Sequence, residues 1–146
     1  MKPVLVIGLG NSLMGDDGIG CAVAERLAAD PRLPSSAEVV SGGTDLLRYM
    51  DQVENRSRVV IIDAFQDGGE LGAVSTIDAA SDRQEHVHHL SVTQAVQLLR
   101  LTSHAQFTLL GVSVGSVAFG SGLSPALEAR LDEIVNRVFE ELSGPA

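Results

Sequence analysis

Three groups of polar side chains in this sequence could do chemistry together. They are the acid pair Asp16 and Asp17, the acid Asp63, and the histidines His86, His88 and His89. Carboxylate oxygens and an imidazole nitrogen are ligands for a borderline divalent metal, and three protein ligands leave further coordination positions open. Without a metal, two carboxyls can act as an acid/base pair in which one stays protonated beside the other. The residue types therefore predict a metal site or an acid/base pair.

The acid pair lies in an unusual strand-to-helix turn, residues 8–20, which reads GLGNSLMGDDGIG. The turn follows the apolar run 4–7 and precedes a helical pattern that starts at Ile19, so it occupies the first such turn of an α/β protein. A nucleotide-binding turn leaves this helix N-terminus open, because its N–H groups and dipole attract phosphate. Here two carboxylates would repel a phosphate, and the turn favours a metal ion or a shared proton.

The elements that must position these groups alternate between strands and helices. Strands are predicted at residues 3–8, 38–40, 59–62, 71–77 and 107–114, with 71–77 at an edge of the sheet and Asp63 ending the third strand. Helices are predicted at 17–29, 45–50 and 91–101, and from the Ser124-Pro125 start to Gly144-Pro145. This alternation predicts an α/β fold, a three-layer α/β/α arrangement with a mainly parallel twisted sheet of about five strands.

A parallel sheet of this kind binds ligands at the carboxyl ends of its strands. Asp17, Asp63 and the histidines before Ser91 all belong near those ends, so the sheet edge could bring them together. Asp16 is expected to cap the helix that follows rather than to bind a ligand. Asp17 could either function or complement the helix dipole. An Asp at the end of a buried aliphatic strand has no obvious packing role, so Asp63 is favoured as functional.

The remaining polar and small residues around the turn have simpler explanations. One of the clustered histidines could be functional, but all three together are not expected to be. The expected roles of the others are as follows: Gly8, Gly10, Gly15 and Gly18 serve the tight turn, Asn11 holds it through side-chain hydrogen bonds, and Cys21 is a small core residue rather than a nucleophile.

Composition limits the classes of function. The chain has 146 residues and a net charge of −9, and only 3% of its residues are aromatic, which argues against binding to nucleic acid. Its single lysine is Lys2, so Schiff-base chemistry is not expected, and its single cysteine excludes an intrachain disulfide. We expect one domain spanning residues 1–146, no membrane insertion, no signal peptide and a cytoplasmic location.

Two stretches of the sequence resemble known motifs but do not meet their requirements. The first turn lacks the third glycine of a dinucleotide-binding fingerprint, because Leu13 stands at that position. The run Gly111 to Gly115 matches G-x-S-x-G around Ser113, but the last histidine of the chain, His104, precedes that serine. In the α/β-hydrolase order the histidine follows the serine, so a triad of that kind cannot form.

The motifs, taken in order, resemble those of the maturation endopeptidases of nickel-iron hydrogenases. The family signature is Gly-x-Gly-Asn-x-Leu, two spacer residues, Asp-Asp or Asp-Glu, Gly or Ala, a spacer and Gly, and residues 8–20 match it throughout. Further matches are the Gly43-Thr44 turn, the strand end Ile62-Asp63-Ala64, a histidine before the third helix, and the segment Gly122-Leu123-Ser124-Pro125. The resemblance covers nearly the whole chain. Two departures, Ser41 in place of an acid and the run after Gly111, bear on substrate identity.

The resemblance implies a twisted sheet between helices and an enzyme that cleaves a C-terminal extension from the hydrogenase large subunit after nickel insertion. Family residues that recognise nickel fall here on Asp17, Asp63 and His88. Assigning the histidine to His89 instead would place the polar Ser91 where the family has a hydrophobic residue.

We therefore expect an endopeptidase in which Asp17 and Asp63 are catalytic and, with His88, bind nickel. The nickel is presented by the substrate, and no cofactor is permanently bound. The expected partner is a [NiFe] hydrogenase large-subunit precursor, and the protein itself is expected to be a monomer. Whether the metal or the carboxyl pair performs the cleavage stays open. The alternatives are a non-hydrolytic nickel-sensing chaperone, a small-molecule enzyme using the same sheet edge, and a serine hydrolase acting through Ser113.

Overall fold

A computed structural model describes residues 1–79, 91–115 and 117–144. Its strands are β1 (Val4–Gly8), β2 (Ala37–Ser41), β3 (Arg58–Phe65), β4 (Val74–Ile77) and β5 (Gln106–Ser113). Its α-helices are α1 (Ile19–Ala28), α2 (Met50–Val53), α3 (Val92–Leu99), α4 (Pro125–Glu128) and α5 (Leu131–Ser143). Two 3-10 turns, Gly15–Gly18 and Leu46–Tyr49, lead into α1 and α2.

The strands form one sheet in the order β2-β1-β3-β5-β4. Neighbours among β2, β1, β3 and β5 are parallel, whereas β4 pairs antiparallel with β5 at the edge. The predicted α/β fold with about five mainly parallel strands is therefore confirmed, and so is the edge position of the fourth strand.

Helices cover both faces of this sheet, which explains why residues 4–7 of β1 and 59–62 of β3 are all aliphatic. Leu5 and Ile7 face a core closed by α2 and α3, whereas Val6 faces a second core closed by α1, α4 and α5. In β3, residues 59 and 61 join the first core and residues 60 and 62 join the second. Because successive strand residues point to opposite faces, a strand buried on both sides must be apolar at every position.

Several element boundaries differ from the predicted ones. The third strand does not end at Asp63 but continues to Phe65, because β5 supplies ladder partners up to the pair Phe65 and Ser113. The first helix begins as a 3-10 turn at Gly15 rather than as an α-helix at residue 17. The last predicted helix is divided into α4 and α5. Across the described ranges, no helix is both long and apolar enough to cross a membrane.

Candidate active site

The candidate site lies at the carboxyl edge of the sheet, where β1 ends before β3 does. Gly8, the last residue of β1, pairs with Ile62, so the next residue of β3, Asp63, projects beyond the end of β1 while still pairing with Gly111 of β5. The chain leaving β1 folds over this edge as the site loop, residues 9–18, and brings Asp17 with it. The negative charge of Asp17 raises the pKa of Asp63, so these two predicted site residues lie close enough to interact.

Backbone hydrogen bonds and a short asparagine turn hold the site loop in place. Asn11 accepts a hydrogen bond from the Leu13 N–H at 3.0 Å through its Oδ1 atom, in agreement with the predicted role of this side chain. Its own N–H donates to Oδ2 of Asp17 at 2.9 Å. The Gly10 N–H donates to the Gly43 carbonyl at 2.9 Å, which joins the site loop to the glycine turn after β2. Asp17 is therefore oriented by its own loop.

Glycine contacts let α1 approach the sheet closely enough to place Asp17 near Asp63. A Cβ atom on Gly20 would lie 2.3 Å from the Leu9 carbonyl oxygen and 2.4 Å from that of Ile62. Gly10 has a φ of +145°, and a Cβ there would lie 2.1 Å from the Asp17 carbonyl oxygen. The turn explanation for Gly10 holds, but Gly20 is a packing residue that sequence reasoning did not single out. Its signal is a glycine in the first turn of a helix, where glycine is unfavourable.

Asp63 is a partly buried carboxyl that titrates near neutrality. Burial raises its pKa to about 7, and the negative charge of Asp17 adds to that rise, whereas a hydrogen bond from the Ala64 N–H opposes it. That hydrogen bond reaches Oδ1 at 2.8 Å. A group with such a pKa can hold or release a proton at physiological pH, which suits general acid or base catalysis. A cation bound beside it would displace the proton.

Asp16 does not cap the first helix as predicted. Its Oδ1 accepts from the Ser124 N–H at 2.7 Å and its Oδ2 from the Ser124 hydroxyl at 2.9 Å. The cap positions of the 3-10 turn and of α1 fall on Met14 and Gly18, and neither makes a side-chain cap bond. Because a 3-10 turn precedes α1, Asp16 lies within helical backbone rather than before it, and its side chain turns toward the segment that follows β5.

The histidines of the sequence do not complete the site within the described structure. His86, His88 and His89 all lie outside the described residues, so the ligand role of His88 stays a prediction. His104 precedes β5, at the amino edge of the sheet opposite Asp63. Within residues 1–79, 91–115 and 117–144, no three His, Cys, Asp or Glu side chains form a group that could hold a metal ion.

Two possible nucleophiles have other roles. Ser113 is buried, and its hydroxyl donates to Oδ1 of Asp67 at 2.9 Å rather than to an imidazole. Cys21 lies beneath the site loop with its Sγ 3.5 Å from the carbonyl oxygens of Gly8 and Gly10. Burial raises the pKa of the Cys21 thiol, a hydrogen bond with the Gly42 backbone opposes that rise, and the nearby acids, which include Asp63 and Asp17, add smaller increases. A thiol in such surroundings stays protonated and unreactive at neutral pH.

Similarity to solved structures extends over almost the whole chain. The hydrogenase maturating endopeptidase HybD from Escherichia coli superposes with a TM-score of 0.78 at 28% identity, covering 97% of this chain and 92% of that one. The [NiFe] hydrogenase maturation protease HycI from Thermococcus kodakarensis superposes with a TM-score of 0.83 at 23% identity, covering 98% and 94% of the two chains. The second match, at its lower identity, establishes the fold.

Sequence similarity identifies the family. The hydrogenase 2 maturation protease of Escherichia coli K12 is 28% identical over an alignment of 149 positions, which covers 95% of this chain and 90% of that protein. The family model HycI, hydrogenase maturation protease, matches residues 21–141, a range that contains Asp63 and follows the signature at residues 8–20. The chain belongs to the hydrogenase maturation protease family and is a peptidase that acts in hydrogenase maturation.

Proposed function

We propose that this protein is an endopeptidase that removes the C-terminal extension of a nickel-loaded [NiFe] hydrogenase large-subunit precursor. In this proposal Asp17, Asp63 and His88 recognise the nickel that the precursor already holds. The nickel is part of the substrate, and the enzyme has no permanently bound cofactor. We further propose that the protein acts as a monomer in the cytoplasm.

The observation that carries the proposal is a pair of carboxyls that no arginine or lysine of the described residues neutralises. Asp17 and Asp63 both lie at the carboxyl edge of the sheet, where the charge of Asp17 helps to raise the pKa of Asp63, and among the described residues neither forms an ion pair. Each carboxyl has one oxygen engaged by a backbone N–H, at 2.9 Å for Asp17 and 2.8 Å for Asp63, which leaves the other oxygen open. Burying acids together in this way costs free energy. A divalent cation delivered by the precursor would offset that cost.

The position of α3 supports His88 as the third ligand. A helix that connects to a following parallel strand runs opposite to the strands, so α3 begins at their carboxyl edge. His88 precedes Val92, the first residue of α3, by four positions. An imidazole delivered from that side would complete an O, O, N donor set of the kind that borderline metals accept.

An incomplete donor set explains how nickel could control cleavage. Three ligands from the protease add binding energy only when the precursor carries metal, so the loaded precursor is discriminated from the empty one. Bound nickel can polarise a carbonyl or activate water. Asp63, with a pKa of about 7, can instead transfer the proton that hydrolysis requires. Both routes place the scissile bond beside Asp63.

The test is the intact mass of a purified large-subunit precursor incubated with the protein, with and without nickel loaded. We expect the loss of a C-terminal peptide in the loaded sample alone. Asp17→Asn and His88→Ala should prevent that loss, whereas His104→Ala, a histidine at the opposite edge, and Ser113→Ala should cleave like the wild type. If His88→Ala processed the precursor and His89→Ala did not, the nickel-binding histidine would be His89.

An unchanged precursor mass in both samples, with nickel loading verified, would contradict cleavage of this substrate. Nickel-dependent complex formation without any mass loss would then favour the non-hydrolytic chaperone alternative. Equal cleavage of loaded and empty precursors would retain the endopeptidase and remove nickel recognition.

A further inference from the structure

A segment beyond the two acids is fastened to the site loop. We call residues 117–124, which lead from β5 toward α4, the strap. Its Gly120 carbonyl accepts a hydrogen bond from the Gly15 N–H at 2.8 Å, and its Gly120 N–H donates to the Leu13 carbonyl at 2.9 Å. The strap therefore pairs with the loop that carries Asp17, at the edge of the candidate site.

The strongest link between the two segments is the side chain of Asp16. This residue is only 8% exposed, and both of its carboxylate oxygens accept from Ser124, at 2.7 Å from the N–H and 2.9 Å from the hydroxyl. Hydrogen bonds to a carboxylate are short and about twice as strong as neutral ones. Removing their partner would leave buried polar groups unpaired, which costs more than the bonds themselves.

Asp16 is not needed to cap α4. The Ser124 hydroxyl already accepts from the Leu127 N–H at 3.3 Å, and Pro125 occupies the first helical position. Those features start a helix without help from the site loop. The carboxylate of Asp16 therefore joins the site loop to the strap through Ser124, which lies 108 residues further along the chain.

Asp16 and Asp17 occupy one 3-10 turn, so fixing one fixes the other. Asp17 donates its N–H to the Met14 carbonyl at 3.2 Å within that turn, and its side chain accepts from the Asn11 N–H. We propose that Asp16 is a positioning residue, whose two hydrogen bonds to Ser124 hold strap and site loop together and so keep Asp17 in the geometry that binds the loaded precursor. The substrate in this inference rests on the proposed function, but the mechanical link does not.

The first measurement is amide hydrogen exchange of the free protein carrying Asp16→Asn. Asparagine has nearly the same shape and can accept from the Ser124 N–H, but its amide nitrogen cannot accept from the hydroxyl. We expect about tenfold faster exchange at Gly15, Gly120 and the Asn11 amide that bonds Asp17, with β1 and β3 unchanged, because local opening is separable from global unfolding. Asp51→Asn, which removes one exposed acid on α2, is the matched control.

The second measurement is cleavage of the nickel-loaded precursor. If the binding geometry is populated about one tenth as often, the apparent affinity falls by the same factor, so KM should rise about tenfold while kcat changes little. Ser124→Ala should act in the same direction, and adding it to Asp16→Asn should cost less than the sum of the two, because both remove one link. Ser124→Thr keeps the hydroxyl and should retain slow exchange.

Three results would overturn the inference. Unchanged exchange in the site loop and strap would mean that Asp16 does not couple them. Faster exchange throughout the sheet would assign Asp16 to general stability. Loss of kcat with unchanged KM would make Asp16 a direct participant in the reaction rather than a positioning residue. If the wild type itself cleaves nothing, the proposed function fails, and the exchange data still decide the link.

Discussion

Buried charges differ between the two ends of the strands, which form the amino edge and the carboxyl edge of the sheet. At the amino edge, Arg56 and Arg58 are 7% and 8% exposed. Arg56 donates to the carbonyls of Gln52 and Lys2 at 2.8 Å each and pairs with Glu38 at 2.8 Å. Arg58 donates to the carbonyl of Glu141 at 3.0 Å and so ties the end of α5 to β3. Both cations donate to main-chain carbonyls, although the buried Nε of Arg58 has no hydrogen-bond partner among the described residues.

The carboxyl edge leaves its charges without counterparts. Asp17 and Asp63 each accept one backbone N–H, and no arginine or lysine in the described ranges forms an ion pair with either. A buried charge that is hydrogen-bonded and ion-paired, like that of Arg56, can be part of a stable fold, whereas a partly buried acid beside a second acid is a local cost. The amino edge therefore contributes to the stability of the fold, whereas the carboxyl edge keeps charges that a cation could neutralise.

The largest expected effect is that of Asp63→Asn on cleavage. Asparagine can keep the hydrogen bond from the Ala64 N–H, but it can neither carry a negative charge to nickel nor transfer a proton. We expect kcat/KM for the loaded precursor to fall by at least about 10³-fold, or roughly 4 kcal/mol of transition-state stabilisation. Intact mass spectrometry with time measures it. Normal processing by this variant would remove Asp63 from the site.

The same substitution should stabilise the fold, which sharpens the contrast between the edges. Asp63 keeps its proton in the folded protein up to a pKa of about 7, but in the unfolded chain it releases it near 3.8. Between those values the folded state binds more protons, so this group's contribution to stability falls as pH rises from about 4 to 7 and stays low above. Asn cannot ionise. At pH 8 the free energy of unfolding of Asp63→Asn should therefore exceed that of the wild type by at most about 4 kcal/mol, the equivalent of the pKa shift.

Thermal or urea unfolding at pH 5 and pH 8 checks this expectation. The gain from Asp63→Asn should shrink at the lower pH, because there the wild-type acid is largely protonated in the folded state. If the variant were less stable than the wild type at pH 8, the charged form of Asp63 would stabilise the fold, as we expect of Arg56 at the amino edge.

The sequence predicted which residues lie at the carboxyl edge, but it did not predict the contacts that position them. Aliphatic runs and turn residues fix which strands are buried on both faces, and a parallel sheet then places Asp17 and Asp63 at one edge. The end of β3 was misplaced because Asp63 is polar, although a strand continues wherever a neighbour offers ladder partners. Asp16 was misassigned because its partner, Ser124, is distant in sequence and no local pattern reports such a contact.

The close approach of α1 was also beyond sequence reasoning. By helix propensity alone, Gly20 only destabilises α1, because propensity describes an isolated helix and not the backbone packed against it. The compensation lies in the Leu9 and Ile62 carbonyls, which come too close to the helix for any side chain. A glycine in the first turn of the helix is the only local sign of this packing, and it does not say which backbone lies against the helix.

The next largest effect is expected from Gly20→Ala, which pushes α1 away from the carboxyl edge. The added methyl would meet two backbone oxygens at 2.3 and 2.4 Å, and backbone cannot rotate aside as a side chain can. Alanine favours a helix by about 1 kcal/mol, but overpacking costs about 1–3 kcal/mol or more, so the clash decides. We expect about 2 kcal/mol of net destabilisation with a clear loss of cleavage below the melting temperature.

Gly115→Ala is the matched control for that variant. A Cβ there meets no atom of the described residues within 4 Å, so the free energy of unfolding should change by less than about 0.5 kcal/mol. If Gly20→Ala lost stability but cleaved normally when folded, the close packing of α1 would contribute to the stability of the fold and not to the geometry of the site.

The smallest expected effect on the reaction is that of Arg56→Met at the amino edge. Methionine keeps an apolar side chain in a buried position but removes the donors to Gln52 and Lys2 and the ion pair with Glu38. Unpaired carbonyls should lower the free energy of unfolding by about 2 kcal/mol, measured by urea denaturation. An exposed counterpart, Arg100→Met, should change it little.

Arg56→Met should leave kcat/KM of the folded enzyme within about twofold of the wild type, because Arg56 lies at the end of the sheet away from Asp63. The two edges would then respond to charge removal with opposite signs, stability falling at one and rising at the other, while activity changes only at the second. A marked loss of cleavage in fully folded Arg56→Met would mean that strain at the amino edge reaches the site along β1 and β3. In that case, fold and function would share the same charges.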